Sequence, residues 1–142
     1  MSIPSANELS QLPKKVCENN NLTCLHAIES GSRAWGFASP DSDFDVRLIY
    51  AESPDYYWQI FDGKDTFEFI DNGLYSVPFD IGGWELKKSL QLFYKSNSVI
   101  LEWLNSPIVY HSNDKFITEL KELQHEFFNA KASFYHYQGM AK

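Results

Sequence analysis

The apolar positions of this chain follow two different periods. From Leu22 to Glu29, residues Leu22, Cys24, His26 and Ile28 alternate with Thr23, Leu25 and Ala27. That two-residue period predicts a strand, apolar enough to be buried on both faces. Phe44 to Tyr50 predicts a second strand. Thr66 to Ile70 and Tyr75 to Ile81 predict two more, joined around Asn72-Gly73, a hairpin signal. After Gly82-Gly83 the period turns helical, with Leu86, Leu90 and Phe93, then Phe116, Leu120, Leu123 and Phe127. A short helix is expected over Val99 to Leu104, stopped before Pro107. Ahead of the strands, Ser5-x-x-Glu8 is a capping-box pattern that starts a helix. Pro13 either kinks that helix or opens a second one, and Asn19 to Asn21 end it. Helix, strands, then helices reads as α+β, with a mixed sheet of about four to five strands flanked by helices.

The connections carry their own signals. Ser30-Gly31-Ser32 is a tight turn, expected to lead into a short helix through Trp35. Residues 39–42 form a loop, and Pro54 to Asp62 an aromatic-rich one. Trp35 and the Tyr56-Tyr57-Trp58 group are expected to pack against the fold rather than stack on a base. His26 is expected to be a satisfied core histidine. Phe134 to Tyr137 resembles the opening of another buried helix just before the chain stops. The expectation is one domain over residues 1–142, truncated at a C-terminal helical region or covered there by a protein partner or a second copy.

Charge changes the picture by where it sits. The net charge is -7. Residues 41–85 hold eleven acids against two bases, Arg47 and Lys64. Such a run is ordinarily a solvated face, but some of these carboxylates can hold a hard cation. It argues against broad non-specific nucleic-acid binding, which needs Lys and Arg on phosphates. Cys17 and Cys24 offer neither a disulfide framework nor zinc spacing, and are expected to be reduced core thiols. No apolar run is long enough to span a bilayer and no secretory leader opens the chain, so the expected location is cytoplasmic.

The candidate chemistry lies between Gly31 and Val46. Asp43 and Asp45 are two residues apart at the start of a strand, so their carboxylates share one face. Two like charges that close repel unless a cation joins them, and Mg²⁺ favours carboxylate plus phosphate oxygens. Gly31 lets backbone approach a ligand, and amides at a turn into a helix form an anion site to which the Ser32 hydroxyl adds a donor. A metal beside a polyphosphate implies phosphoryl or nucleotidyl transfer. Asp80 is the best third carboxylate, with Glu68 on the preceding strand as runner-up. Arg33 either pairs with phosphate as a charged fork or bridges a neighbouring acid such as Asp41. Arg47 shares the strand face of Asp45 and can neutralise the acids or hold one in place. Lys87 or Lys88 can reach a triphosphate, with solvated surface lysine the default. The nucleotide-binding candidates are thus Gly31, Ser32, Arg33 and Lys87.

Gly31-Ser32, then a loop, then Asp43-x-Asp45 on a strand, then Asp80, resembles the active-site pattern of polymerase β-like nucleotidyltransferases. The strings Gly31 to Gly36, Ser42 to Arg47, Gly83 to Lys88 and Leu101 to Ile108 resemble one branch, the uncharacterised bacterial and phage group that includes RNA-ligase-associated members. The similarity covers roughly residues 22–140. It implies the polymerase β palm-like nucleotidyltransferase fold. It also implies a nucleoside triphosphate donor, release of pyrophosphate, and two Mg²⁺ ions, with Mn²⁺ as an alternative. Ser32 would contact the β and γ phosphates, Asp43 and Asp45 would bind both metals, and Asp80 the catalytic one. The acceptor would be a hydroxyl, on RNA or on protein. Members of this branch run on into further helices past the equivalent of Gly139. The alternative function is a catalytically inactive nucleotide-binding regulatory domain, or a partner-binding domain, on the same fold.

Overall fold

A computed structural model of the chain describes residues 4–38, 42–61, 63–71 and 77–126. Helix α1 (Ala6–Asn19) starts at Ser5, whose side chain accepts from the Glu8 amide while Glu8 reaches back to the Ser5 amide. The capping box is therefore real. Pro13 sits inside α1, which continues through it as one helix, so no second helix opens there. Asn20 caps its end and Asn21 takes a positive φ of 58°.

Strands β1 (Thr23–Glu29) and β2 (Phe44–Ala51) follow, then the one-turn helix α2 (Pro54–Tyr57) inside what the sequence presents as loop. Then come β3 (Thr66–Asp71), β4 (Phe79–Glu85), α3 (Leu86–Tyr94), α4 (Ser98–Leu104) and β5 (Val109–Ser112). Residues 114–126 are helical and are called α5. The sheet order is β3-β4-β2-β1-β5. Strands β2 and β4 pair in parallel, while β1 with β2, β1 with β5 and β3 with β4 are antiparallel. The α+β architecture with a mixed five-stranded sheet is the one expected.

The expected strand Tyr75 to Ile81 differs at both ends: β4 begins at Phe79, after Val77 and Pro78. The last long strand does not end at the glycines; it runs through Gly82 and Gly83 to Glu85. A Cβ on Gly83 would lie 2.6 Å from Leu48 Cδ1, so this glycine marks close strand contact rather than a stop. Strand β5 has no counterpart in the predicted elements. The Asn72-Gly73 turn and the Phe134 to Tyr137 segment lie outside the described residues.

The two faces of the sheet have separate cores. Phe44, Val46, Leu48 and Tyr50 of β2 join Phe79 and Ile81 of β4 under Leu9, Val16 and Cys17 of α1. On the other face Ile28 and Ile49 pack with Phe93, Ile100, Trp103 and Leu104 of α3 and α4, and with Ile117 and Leu120 of α5. Cys17 and Cys24 are free and buried, as expected. His26 is buried, with Nε2 3.1 Å from the Trp103 carbonyl and Nδ1 3.3 Å from Ser112 Oγ. Trp35, at 51% exposure, does not pack into the interior, and Trp58 is 84% exposed. The expectation of packing is overturned for Trp35 and Trp58, while Tyr56 is half-buried. No helix among the described residues is long and apolar enough to cross a membrane.

Candidate active site

Strand alternation sorts the polar residues onto one face. With Phe44, Val46 and Leu48 facing α1, the intervening Asp45 and Arg47 face the other way. With Phe79 and Ile81 facing α1, Asp80, Gly82 and Trp84 share the face of Asp45. At the far end of that face α4 covers the sheet, and Trp84 stacks on Trp103 with ring centroids 4.2 Å apart. Toward the starts of β2 and β4 the face is open. There Asp45 and Asp80 stand as direct register partners across the parallel pair. Asp43 is exposed, just ahead of β2. A cleft of about 500 Å³ extends from Arg47 and Asp80 across β4 toward Thr66 and Glu68 of β3.

The Gly-Ser turn is fastened to Asp45. Ser30 donates its amide (2.8 Å) and its hydroxyl (3.2 Å) to the Asp45 carbonyl. Gly31 lies directly against the Asp45 carboxylate, in space that a Cβ would need. Past it the chain turns without becoming a helix. Ala34 N–H donates to the Gly31 carbonyl, Trp35 and Phe37 donate to the Ser32 carbonyl, and Gly36 has a φ of 80°. The short helix expected through Trp35 is thus a run of turns. Its own bonds begin at Ala34, so the amides of Gly31 and Ser32 take no part in them. Amides left out of a turn in this way can meet an anion.

Arg33 fastens the loop. Its Nε and Nη2 donate to the Ser42 carbonyl at 3.1 and 2.6 Å, and its guanidinium lies 4.0 Å over the Phe44 ring. These contacts give it a structural role at the entry to β2; Asp41, its expected partner, lies outside the described residues. Arg47 holds Asp80 through an ion pair of 3.2 Å. Gly82 makes room for it, since a Cβ there would lie 3.2 Å from Arg47 Nη1. The other Asp80 oxygen, Oδ1, is buried and has no hydrogen-bond partner among the described residues. Burial pushes the Asp45 carboxyl above its ordinary range; Arg47 pulls it back, and Asp80 and Asp43 push it up further.

The structure thus brings together Gly31, Ser32, Asp43, Asp45 and Asp80. It does not bring Lys87 to them. Lys87 follows Glu85, the partner of Tyr50 at the opposite end of the parallel pair. Glu85 lies five residue steps along the strand from Asp80, a span of roughly 16 Å. The Lys87 amide caps onto the Glu85 carboxylate. Glu68 stands opposite Gly82 on the far side of β4 from Asp45, so Asp80 is the better-placed third acid. Among the described residues no three His, Cys, Asp or Glu side chains already converge as a metal site. An acid with unspent acceptor capacity, beside another whose ionisation is opposed by burial and two like charges, nevertheless fits a hard cation.

Two residues of the site were not legible in the sequence. Glu29 is fully buried at the end of β1 and accepts the Asp45 amide on Oε2 at 2.9 Å. Tyr110 of β5 donates its hydroxyl to Glu29 Oε1 at 2.8 Å. The only available hint was an acid closing an otherwise apolar strand.

Comparison with known proteins gives two findings. The family model RlaP, described as RNA repair pathway DNA polymerase beta family, matches residues 1–142. The uncharacterized protein YcgL of Bacillus subtilis (strain 168) is 44% identical over 129 residues, which is 91% of this chain and 48% of that protein. The chain therefore spans about half the length of this curated relative. No solved structure matches.

Proposed function

This chain belongs to the RNA repair pathway DNA polymerase beta family, and on that premise we propose that it is a metal-dependent nucleotidyltransferase. It would move a nucleoside monophosphate from a nucleoside triphosphate to a hydroxyl acceptor. The observation that carries the reading is the register pairing of Asp45 with Asp80, with the Gly31 backbone set against the Asp45 carboxylate.

The roles follow from strand order. The turn after β1 lies on one side of Asp45 and Asp80 on the other, and the cleft beside Asp80 reaches back to Ser30. Triphosphate oxygens take the Gly31 and Ser32 amides and the Ser32 hydroxyl. The acceptor enters from the cleft beside Asp80. Asp43, Asp45 and Asp80 would hold two Mg²⁺ or Mn²⁺ ions, which when bound neutralise the phosphate charge and acidify the attacking hydroxyl. Asp80, which lines the cleft, takes the acceptor proton. The acceptor oxygen forms its bond to the α-phosphorus as the bond to pyrophosphate breaks. The acceptor is a hydroxyl of RNA or of a protein.

Transfer of label from α-labelled triphosphates to an RNA and protein panel tests this. The expected result is Mg²⁺-dependent labelling that Asp45→Asn abolishes. Folded, Mg²⁺-supplied protein that neither binds nor transfers any nucleotide would overturn it. One observation favours a second reading. Arg47 already ties up an oxygen of Asp80, as suits a domain that binds nucleotide without turnover. Rapid pyrophosphate release excludes that alternative.

A further inference from the structure

We propose that Glu29 is a positioning residue, braced by Tyr110, that sets where Asp45 stands against the Gly31-Ser32 turn. The inference rests on Asp45 acting as a ligand in the proposed site.

The β1–β2 ladder would normally close at residues 30 and 45 with a reciprocal pair of backbone bonds. Only half of that pair is made. Ser30 N–H donates to the Asp45 carbonyl, but the Asp45 N–H goes to the Glu29 carboxylate instead. The substitution leaves the Ser30 carbonyl out of the ladder just where the chain must swing into Gly31. The Asp45 peptide is still held on both its N–H and its C=O, by two consecutive residues.

Glu29 is itself fixed on three sides. Its amide donates to the Ile108 carbonyl at 3.0 Å, and its carbonyl accepts the Ser106 hydroxyl at 2.7 Å. Its Oε1 accepts the Tyr110 hydroxyl. Both carboxylate partners are donors, so each Glu29 oxygen accepts one bond. Tyr110 remains a donor, because burial and then the bond to Glu29 push its phenol well above the ordinary range. A buried carboxylate is costly to hold. A second layer that orients a ligand commonly changes metal affinity by about 10–100-fold when removed.

Two measurements on the chain separate positioning from general stability. The first is hydrogen exchange of the Asp45 amide relative to the Leu48 and Ile49 amides of the same strand, without metal. The second is Mn²⁺ affinity by calorimetry. In Glu29→Ala, the Asp45 amide should lose protection selectively and Mn²⁺ should bind about tenfold or more weakly. Glu29→Gln should restore the Asp45 protection in part, since its oxygen can still accept the Asp45 amide while the Tyr110 hydroxyl loses its acceptor. Ile100→Val, a core change that takes no part in the Glu29 hydrogen bonds, should lower the melting temperature and leave both readouts alone. Should Glu29→Ala not fold, Tyr110→Phe is read in its place, with the same selective loss in smaller measure. Unchanged Asp45 protection in these variants, or equal losses in Ile100→Val, would overturn the brace. If wild type binds no Mn²⁺, the nucleotidyltransferase reading fails on its own, and the amide exchange still decides the brace.

Discussion

Asp45 and Asp80 face each other across parallel strands, and Arg47, two residues beyond Asp45, spans the gap to hold Asp80 at 3.2 Å. Two acids and one arginine on neighbouring strands leave a negative surplus, which exposed Asp43 increases. The site therefore carries a net negative charge that a bound cation would offset.

Asp45→Asn tests that charge without metal. Burial raises the Asp45 carboxyl in the folded protein, so the folded state holds the proton more tightly than the unfolded chain, whose value is near 3.8. Ionised Asp45 thus costs stability above its folded value, and the cost disappears as pH falls through that value toward 3.8. At pH 7 in chelator the variant should be more stable than wild type, by on the order of 0.5 kcal/mol given solvent screening. The gain should vanish at the acid end. Thermal melts across pH read this directly, and a less stable variant at pH 7 would make Asp45 a structural partner instead.

Gly31→Ala should damage the site through shape rather than charge. The added Cβ needs the space of the Asp45 carboxylate. The carboxylate must turn away, and Mn²⁺ affinity should fall by about tenfold or more, with the far-ultraviolet spectrum unchanged. Wild-type affinity in this variant would contradict the close approach of turn and ligand.

Arg47→Gln should lower stability in chelator by about 1 kcal/mol, a modest figure because the pair is partly exposed. Mg²⁺ should restore more stability to this variant than to wild type, since the cation then meets three acids and no guanidinium. Denaturant melts with and without Mg²⁺ check the difference; equal Mg²⁺ effects would mean that the ion does not bind at Asp80.

His26 predicts an acid limb of its own. Burial lowers its folded value below 6.5, outweighing the Trp103 carbonyl that favours the charged ring; Lys121 and His111 lower it further. Between the folded value and 6.5 the unfolded state binds more protons, so stability is full above 6.5 and declines as pH falls below it. His26→Gln should flatten that slope in melts between pH 7 and 5.

The alternating strands β1 and β2, the capping box of α1 and the acids Asp43 and Asp45 were legible because their signals are local. The course of β4 was not. Gly82 and Gly83 look like a break until Arg47 and Leu48 of the neighbouring strand are seen to need the missing side chains. Strand β5 spans Val109–Ser112 and is largely unburied, so its four residues lack an apolar alternation to announce it. Lys87 looked close to Asp80 in sequence, yet a strand carries the chain away along its whole length. Glu29 read as an ordinary acid because its partners, the Asp45 amide and Tyr110, arrive from two other strands. Burial of Trp35 could not be inferred from its type, since it depends on what the turn projects toward.

The most direct test of the central claim is calorimetric titration of a non-hydrolysable ATP analogue, with and without Mg²⁺, into wild type and Asp45→Asn. Wild type is expected to bind the analogue only with Mg²⁺, and Asp45→Asn to lose that binding. Binding that is indifferent to Mg²⁺ or to Asp45, or no binding by folded wild-type protein, would contradict the claim.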